Sequence, residues 1–472
     1  MTPPPPEPRL NRGARLAYGA GELGPAMAGS TMIFFQLVFL TNVAGLSAGY
    51  AGSVLLIGKL WDAFNDPLIG WLSDRTRSRW GRRLPWMVAS AIPFALFFVL
   101  LWVVPGFAAK DHQLALFLYY TVVAVLYSTC YTALALPHSS LTAELSSDYD
   151  ERSRITGSRM AFSLGGSVGG LLIAQAVFTI FADAPKTFQY LVFALAIAIV
   201  SLGAVAACVT GVWRFVVDRD RQRIAIALPE AAMPVSEQIR VIFSNRPFLI
   251  VCGIYLTSWL AMQFTATILP FYVESVMGLP STRFPLLALA VQGTALLLIP
   301  VWSRLSVRIG KQPVYFYGMS CWIVAQVGLL FLPRGNEPLL FVMAVVAGIG
   351  ISVCYLIPNA MLPDTIEYDE LQTGRRREGV FYGFFVFLQK LALALGTFIV
   401  GQALATAGYI SSGPGQAAPV QPDSALTAIR IAIGPLPAAA LVLGMLLTWA
   451  YPITKARHAE ILAELARRRE LR

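Results

Sequence analysis

The stretch KLWDAFNDPLIGWLSDRTRSRWGRR, residues 59–83, joins a membrane-like apolar run to a block of arginines. The apolar half carries Lys59, Asp62 and Asp66 within a segment long enough to cross a bilayer. An ionisable side chain at bilayer depth costs roughly 2.5–3.5 kcal/mol, so each of these charges requires a partner or a function. The arginines that follow are typical of the end of a span, where the chain re-enters water.

The composition of the whole chain excludes an ordinary soluble protein. Of its 472 residues, 56% are hydrophobic and only 13% are charged, whereas a soluble globular domain has about 25% charged residues. Apolar runs of about 20 residues, each long enough to span the hydrocarbon core, recur along the chain. We therefore predict an all-α integral membrane protein that contacts the lipid bilayer.

Two other functional classes are disfavoured by the sequence. The net charge of +10 comes from Lys and Arg in alternate loops, which is the pattern of membrane orientation and predicts no nucleic-acid partner. The chain has no HExxH, GxSxG or P-loop motif and no His/Cys cluster, so we predict neither an enzyme nor a cofactor.

Hydropathy and helix-breaker signals predict twelve transmembrane helices in two six-helix bundles. The predicted spans are 18–45, 48–73, 86–105, 113–136, 155–183 and 188–213, then 247–273, 284–307, 312–333, 338–361, 379–406 and 425–453. The predicted domains are an N-terminal tail 1–17, a bundle 18–213, a linker 214–246, a second bundle 247–454 and a C-terminal tail 455–472.

The distribution of basic residues predicts the orientation. The loops after the odd-numbered spans hold only Lys110, Lys186, Arg283 and Arg334, and the other loops and the tails hold most of the remaining Lys and Arg. The positive-inside rule then places both termini in the cytoplasm, and the compact chain fits a bacterial inner (plasma) membrane.

The two predicted bundles also repeat each other. GWLSDRTRSRWGRR closes the second span, and a degraded copy, VWSRLSVRIGK, closes the eighth span. Parallel six-helix repeats with a binding site between them near the midplane are a transporter arrangement.

The acids of the second span predict a cation site. Asp62 and Asp66 are four residues apart and Lys59 lies three residues before Asp62, so all three share one helix face. Stacked carboxylates repel each other unless Lys59, a sodium ion or a bound proton neutralises them. The alternative is an ion-pair cluster that only holds helices together.

Two further buried bases extend this hypothesis. Lys390, in FVFLQKLALALG, lies deep in the eleventh span and is predicted to pair with the acids across a central cavity. Arg159, early in the fifth span, is a second candidate. The alternatives are a lysine that reaches towards the interface and an arginine that anchors its span at the membrane surface.

Two charged loops on the predicted cytoplasmic side form a candidate gate of salt bridges. One loop contributes Asp74, Arg75 and Arg82, and the loop after the tenth span contributes Asp364, Arg375 and Arg376. The alternative is that these charges serve orientation alone.

Several longer motifs carry a family resemblance. They are YGAGELG at 18–24, WDAFNDPLIGW with TRSRWGRRLPW at 61–86, DYDERSRITGSRM at 148–160 and LPDTIEYDELQTGRRREGVFYG at 362–383. With these motifs the chain resembles the glycoside–pentoside–hexuronide:cation symporters, the melibiose permease-like branch of the major facilitator superfamily.

The resemblance implies roles for single residues. It implies cation binding by Asp62, Asp66 and Thr132, with sodium or a proton as the coupling ion. It also implies that Tyr131 and Lys390 act in substrate binding and coupling, and to these we add Lys59 and Arg159 from the sequence itself. The implied protein is a monomer.

The resemblance also implies a function, a cation-coupled symporter that moves a glycoside or related small solute by alternating access. Ala135 and Ser139 replace an aspartate and a tryptophan that galactoside transporters of this branch use. The same branch contains a sodium-dependent lysophosphatidylcholine transporter, so a lysolipid-like amphiphile is the alternative substrate. An uncoupled facilitator is the remaining alternative.

Overall fold

The computed structural model describes residues 10–106, 112–146, 149–223, 235–375, 377–412 and 419–470, and within these ranges it is helical without strands. The helices of the first half are α1 Arg12–Ala20, α2 Leu23–Asn42, α3 Ala48–Arg75, α4 Leu84–Leu100, α5 Gln113–Leu145, α6 Tyr149–Ile180 and α7 Lys186–Arg223. Those of the second half are α8 Val235–Ser244, α9 Arg246–Phe271, α10 Arg283–Ile309, α11 Lys311–Leu330, α12 Glu337–Thr373, α13 Glu378–Thr406, α14 Asp423–Ile433, α15 Pro435–Trp449 and α16 Lys455–Glu470. A π-helical turn, Tyr272–Val276, continues α9.

Helices occupy all twelve predicted spans, as the all-α prediction requires. Within the described ranges, ten helical segments are long and apolar enough to cross a membrane. The two other predicted spans are α4, which has 17 residues, and α3, whose centre carries Lys59, Asp62 and Asp66. The charges that suggest a function thus also lower the hydropathy by which α3 would be recognised as a membrane span.

The first and last predicted spans are each built from two helices. Between α1 and α2, the N–H groups of Gly21 and Glu22 donate to the carbonyls of Tyr18 and Gly19 at 3.2 and 3.0 Å. These hydrogen bonds connect residues three apart, as in a 3-10 turn, and they close the last turn of α1. Between α14 and α15 the break falls at Gly434 and Pro435, and proline has no N–H to continue the helix.

The chain divides into two compact units, one formed by α1–α7 and one by α8–α16. In the first unit, α3 and α4 pack on α5, α2 packs on α6, and α1 packs on α7. In the second, α10 and α11 pack on α12, and α13 and α15 pack on α9.

Small residues allow close helix packing in the first unit. A Cβ atom on Gly166 of α6 would lie 2.7 Å from the Leu23 carbonyl oxygen, so the backbones of α6 and α2 are nearly in contact there. A Cβ atom on Gly58 of α3 would lie 3.3 Å from the Ala124 Cβ of α5. This second approach holds the charged centre of α3 against α5.

The predicted linker and C-terminal tail contain helix. α7 extends to Arg223, beyond the predicted end of its span at 213, and α8 also lies within the predicted linker; residues 224–234 lie outside the described residues. α16 packs on α12, and its residues Ile461 and Leu465 are buried. Arg468 Nη1 donates to the Leu371 carbonyl at 2.7 Å.

Candidate functional site

The interface between α3 and α5 buries an incompletely paired carboxylate. Asp62 is 2% exposed. Its Oδ2 lies 3.7 Å from Lys59 Nζ, which is too long for a direct hydrogen bond. Its Oδ1 is buried and accepts no hydrogen bond from any described residue. A buried anion in this condition is costly unless a further cation approaches it.

The second carboxylate is held by α5. Thr132, which is buried, donates a 2.9 Å hydrogen bond from Oγ1 to Oδ1 of half-buried Asp66. Asn65 Nδ2 lies 3.5 Å from the Ser128 carbonyl. Ser128 Oγ in turn donates to the Gly58 carbonyl at 3.1 Å. These contacts fix the register of α3 and α5, so the structure brings three predicted residues, Asp62, Asp66 and Thr132, to one interface.

Two tyrosines of α5 complete this site. Tyr131 lies near Asp62 and Asp66, and Tyr127 lies near Asp62. The Tyr127 hydroxyl is buried without a hydrogen-bond partner in the described ranges. Tyr127 was not predicted from the sequence, although its position four residues before Tyr131 places both rings on one face of α5.

The donor set suits a hard monovalent cation. Carboxylate and hydroxyl oxygens are what such ions prefer, and Asp62 Oδ1 has no other partner among the described residues. Pro67 in α3 and Pro137 in α5 each remove one helical hydrogen bond near the site. Their effect is to leave a carbonyl oxygen one turn earlier in each helix without its helical donor.

The two other buried bases lie in different surroundings. Lys390 is half-buried in α13, which belongs to the second unit, so its predicted pairing with the acids of the first unit stays a prediction. Arg159, in α6, is 20% exposed, and its Nε lies 3.9 Å from Glu22 Oε2. Arg159 therefore has an anionic neighbour inside the first unit.

The predicted gate residues of the first unit have local contacts. Asp74 pairs with Arg83, whose Nη1 donates to Ser73 Oγ at 2.6 Å. Arg75 lies over the Trp71 ring, 4.0 Å from its centroid. Arg82 is half-buried. Arg83 could not be predicted as the partner of Asp74, because several arginines stand at similar spacing in the sequence.

In the second unit, Asp364 belongs to a cluster at one end of α12. Lys311 Nζ lies 2.6 Å from each Asp364 carboxylate oxygen and donates to the Ala360 carbonyl at 2.8 Å. His458 of α16 lies 2.6 Å from Glu367 Oε2 and 3.4 Å from Asp364 Oδ1 through its Nε2. A cleft of about 490 Å³ beside this cluster is lined by Lys311, Asp364 and His458.

The remaining gate residues add little to this cluster. Arg375 is exposed, and Arg376 lies outside the described residues. Arg377 instead forms a two-pronged pair with Asp369, with Nη2 2.8 Å from both carboxylate oxygens. A gate between the two loops stays a prediction.

Comparison with known proteins places the chain in a family. The family model described as MFS/sugar transport protein matches residues 17–455. An uncharacterised symporter of Synechocystis sp. is 40% identical, and the alignment covers 98% of each chain. The sodium-dependent lysophosphatidylcholine symporter 1-A of Danio rerio is 26% identical over 94% of this chain and 86% of its own.

A solved structure shows the same fold. The crystal structure of the nucleoside transporter NupG aligns with a TM-score of 0.64 over 94% of this chain and 100% of that one, at 14% identity. With the family match, this similarity confirms the predicted all-α transporter fold, and the predicted class, a symporter and not an enzyme, is confirmed by the family and its relatives. The chain is an integral membrane transporter that couples the transport of a small molecule to that of a cation, and it belongs to the MFS/sugar transport protein family.

Proposed function

We propose that this chain is a sodium-coupled symporter that moves a glycoside or a related small solute by alternating access. Asp62, Asp66 and Thr132 bind the cation, and the bundles 18–213 and 247–454, joined by the linker 214–246, move around the substrate. The observation that carries the proposal is the buried Asp62 Oδ1, which has no hydrogen-bond partner in the described ranges.

The loose pairing of Asp62 supports a monovalent cation. Its Oδ1 is buried without a hydrogen-bond partner in the described ranges, and its Oδ2 has only a long contact with Lys59. The Lys59 side chain is 32% exposed and its Nζ lies 3.7 Å from Asp62 Oδ2, so it neutralises Asp62 only in part. A sodium ion would supply a partner for Oδ1. A proton on Asp62 would neutralise the carboxylate instead, and a sodium titration at several pH values separates sodium from proton binding.

Coupling between ion and substrate is assigned to residues of both units. In this proposal Lys390 pairs with the helix α3 acids before sodium binds, and it turns to the substrate once the ion neutralises them. Tyr131 lies near both acids and links ion binding to substrate binding. Arg159 contributes to the substrate site. The gate of Asp74, Arg75, Arg82, Asp364, Arg375 and Arg376 closes the cytoplasmic side, where both termini lie.

The family supports the substrate class and also its alternative. The matching family is described by sugar transport, which favours a glycoside. A lysolipid-like amphiphile is the second candidate because a relative named as a lysophosphatidylcholine symporter aligns over 94% of this chain. The proposed setting is a monomer in a bacterial plasma membrane.

The test is the thermal stability of the purified protein, titrated with sodium at several pH values. Wild type is compared with Asp66→Asn and with Asp183→Asn, which removes an exposed carboxylate in the turn after α6. We expect sodium to raise the melting temperature of wild type and Asp183→Asn but not of Asp66→Asn, because a ligand that binds only the native state stabilises it.

Other results would change the proposal. A response to pH but not to sodium, lost in Asp66→Asn, would make the proton the coupling ion. No response to either would contradict the symport mechanism and favour an uncoupled facilitator. If sodium stabilises the protein, a further rise with a panel of glycosides, and none with lysophosphatidylcholine, identifies the substrate class.

A further inference from the structure

A buried histidine lies against the break between α1 and α2. His138, on α5, is 1% exposed, and its ring stacks on Tyr18 with the centroids 4.7 Å apart. Its Nε2 lies 2.8 Å from the Tyr18 carbonyl oxygen. A Cβ atom on Gly21 would lie 2.6 Å from Nε2, so a glycine at the break leaves the room that the imidazole occupies.

The hydrogen-bond partners determine where the protons of His138 lie. A carbonyl oxygen only accepts, so Nε2 must carry a hydrogen. The other ring nitrogen, Nδ1, lies 3.3 Å from Glu22 Oε2 and has no hydrogen-bond partner in the described ranges. A neutral ring with its hydrogen on Nε2 would turn the lone pair of Nδ1 towards a carboxylate. A proton on Nδ1 or on Glu22 removes that repulsion.

The neighbouring charges place that proton on the histidine. The Tyr18 carbonyl is at the C-terminal end of α1, where the helix dipole favours a cation. Arg159 Nε lies 3.9 Å from Glu22 Oε2, which favours the ionised carboxylate. Both effects favour an imidazolium beside a carboxylate over two neutral groups.

The other titratable groups around the ring come from the helices packed on α5. α7 contributes Cys208, whose Sγ lies 3.8 Å from the Tyr18 carbonyl, and α4 has no titratable side chain. From α3, Asp62 and Asp66 lie near Tyr131, which lies near Glu22 as well.

We propose that His138 and Glu22 form a proton-binding site that is separate from the cation site of Asp62 and Asp66. The proton forms an N–H bond at His138 Nδ1 while Glu22 remains a carboxylate, and its release leaves a neutral imidazole. Thr132 and His138 are roughly 9 Å apart along α5. The transporter then binds a proton at His138 in addition to the coupling cation. The link to transport rests on the proposed function, whereas proton binding at His138 does not.

The direct test is nitrogen NMR of the full chain with ¹⁵N-labelled histidine. The chain has three histidines, so the signals can be assigned with His112→Gln, His138→Gln and His458→Gln. We expect both nitrogens of His138 to be protonated in wild type near neutral pH, about pH 7. In Glu22→Gln the Nδ1 signal should become that of an unprotonated nitrogen at the same pH. Exposed His112 serves as the internal reference.

The wild-type spectrum alone can overturn the proposal, even if Glu22→Gln does not fold. An unprotonated His138 Nδ1 near neutral pH would contradict it, and so would a spectrum of folded Glu22→Gln that is identical to wild type.

A second measurement separates this site from the cation site. We expect the sodium-dependent rise in melting temperature to persist in His138→Gln, but to lose part of its pH dependence. In Asp66→Asn the sodium response should vanish while the His138 nitrogen signals stay those of wild type. Loss of the protonated signals in Asp66→Asn would show one shared site and contradict the separate proton site. An absent sodium response with protonated His138 would contradict only the proposed cation site.

Discussion

Two carboxylate clusters of this protein differ in how their charges are balanced. In the α3–α5 cluster, Asp62 is nearly fully buried and one of its oxygens has no hydrogen-bond partner in the described ranges. In the α12–α16 cluster, Asp364 lies 2.6 Å from Lys311 Nζ through both oxygens, and Glu367 lies 2.6 Å from His458. The contacts of His458 with Glu367 and Asp364 join α16 to α12. The incomplete pairing of Asp62 is the basis of the proposed ion site.

The largest expected effect is on ion binding by Asp62. Asp62→Asn keeps the shape of the side chain but removes its charge, so the sodium-dependent rise in melting temperature should be lost. Stability without sodium should change by less than about 1 kcal/mol, because the substitution removes an incompletely paired buried charge. Thermal unfolding with and without sodium measures both effects. Asp183→Asn is the matched control, and a normal sodium response in Asp62→Asn would remove the contrast between the clusters.

The opposite result is expected for the paired cluster. Lys311→Met removes the partner of Asp364, whose side chain is 6% exposed, and leaves a buried carboxylate short of a cation. Because Lys311 is itself 30% exposed, we expect a loss of about 2–3 kcal/mol in the free energy of unfolding. The sodium response should remain. Chemical denaturation of Lys311→Met measures the loss of stability. Arg308→Met, which removes an exposed cation of α10, is the control.

A double variant sharpens this prediction. Lys311→Met combined with Asp364→Leu removes both charges, so most of the lost stability should return. If the double variant is less stable than Lys311→Met alone, the pair does not act as a unit.

A smaller effect is expected at the other end of the same cluster. His458→Gln removes the 2.6 Å contact with Glu367 and should cost about 1 kcal/mol of stability. The loss should appear as faster proteolysis of α16, since this contact ties α16 to α12. His112→Gln, at an exposed position, should have no such effect. Equal proteolysis rates of the two variants would show that the contact does not hold α16.

The smallest expected effect comes from packing and not from charge. Gly58→Ala adds a Cβ atom 3.3 Å from the Ala124 Cβ, which forces α3 and α5 apart by a few tenths of an ångström. We expect a stability loss of about 1 kcal/mol or less and a weaker apparent affinity for sodium. Gly165→Ala, where an added Cβ meets nothing within 4 Å, is the control. Unchanged sodium affinity in Gly58→Ala would show that the site tolerates this displacement.

The two acids of the candidate cation site were predictable because they are close in sequence. The spacing of Asp62 and Asp66 alone places them on one helix face, and their cost in an apolar run marks them as exceptional. Thr132 came from the family resemblance, and the structure shows it donating to Asp66. Tyr127 was missed, because a tyrosine in an apolar span is ordinary until its hydroxyl is seen to have no partner among the described residues.

The contact between His138 and Glu22 could not be predicted in the same way. His138 and Glu22 stand on different spans, and neither belongs to a motif that requires the other. Only the break after α1, with Gly21 at the contact, lets the imidazole reach both the Tyr18 carbonyl and the Glu22 carboxylate. No hydropathy pattern encodes that proximity.

The sequence by itself determined the all-helical membrane fold and the shared helix face of Asp62 and Asp66. The fold follows from transfer free energies, which act on each segment separately, and the shared face follows from the four-residue spacing. Only the tertiary structure decided which charges are paired, as for Asp364 with Lys311, and which are not. Pairing depends on distances of a few ångströms between helices that are far apart in the chain, and these distances are fixed by helix breaks and close packing.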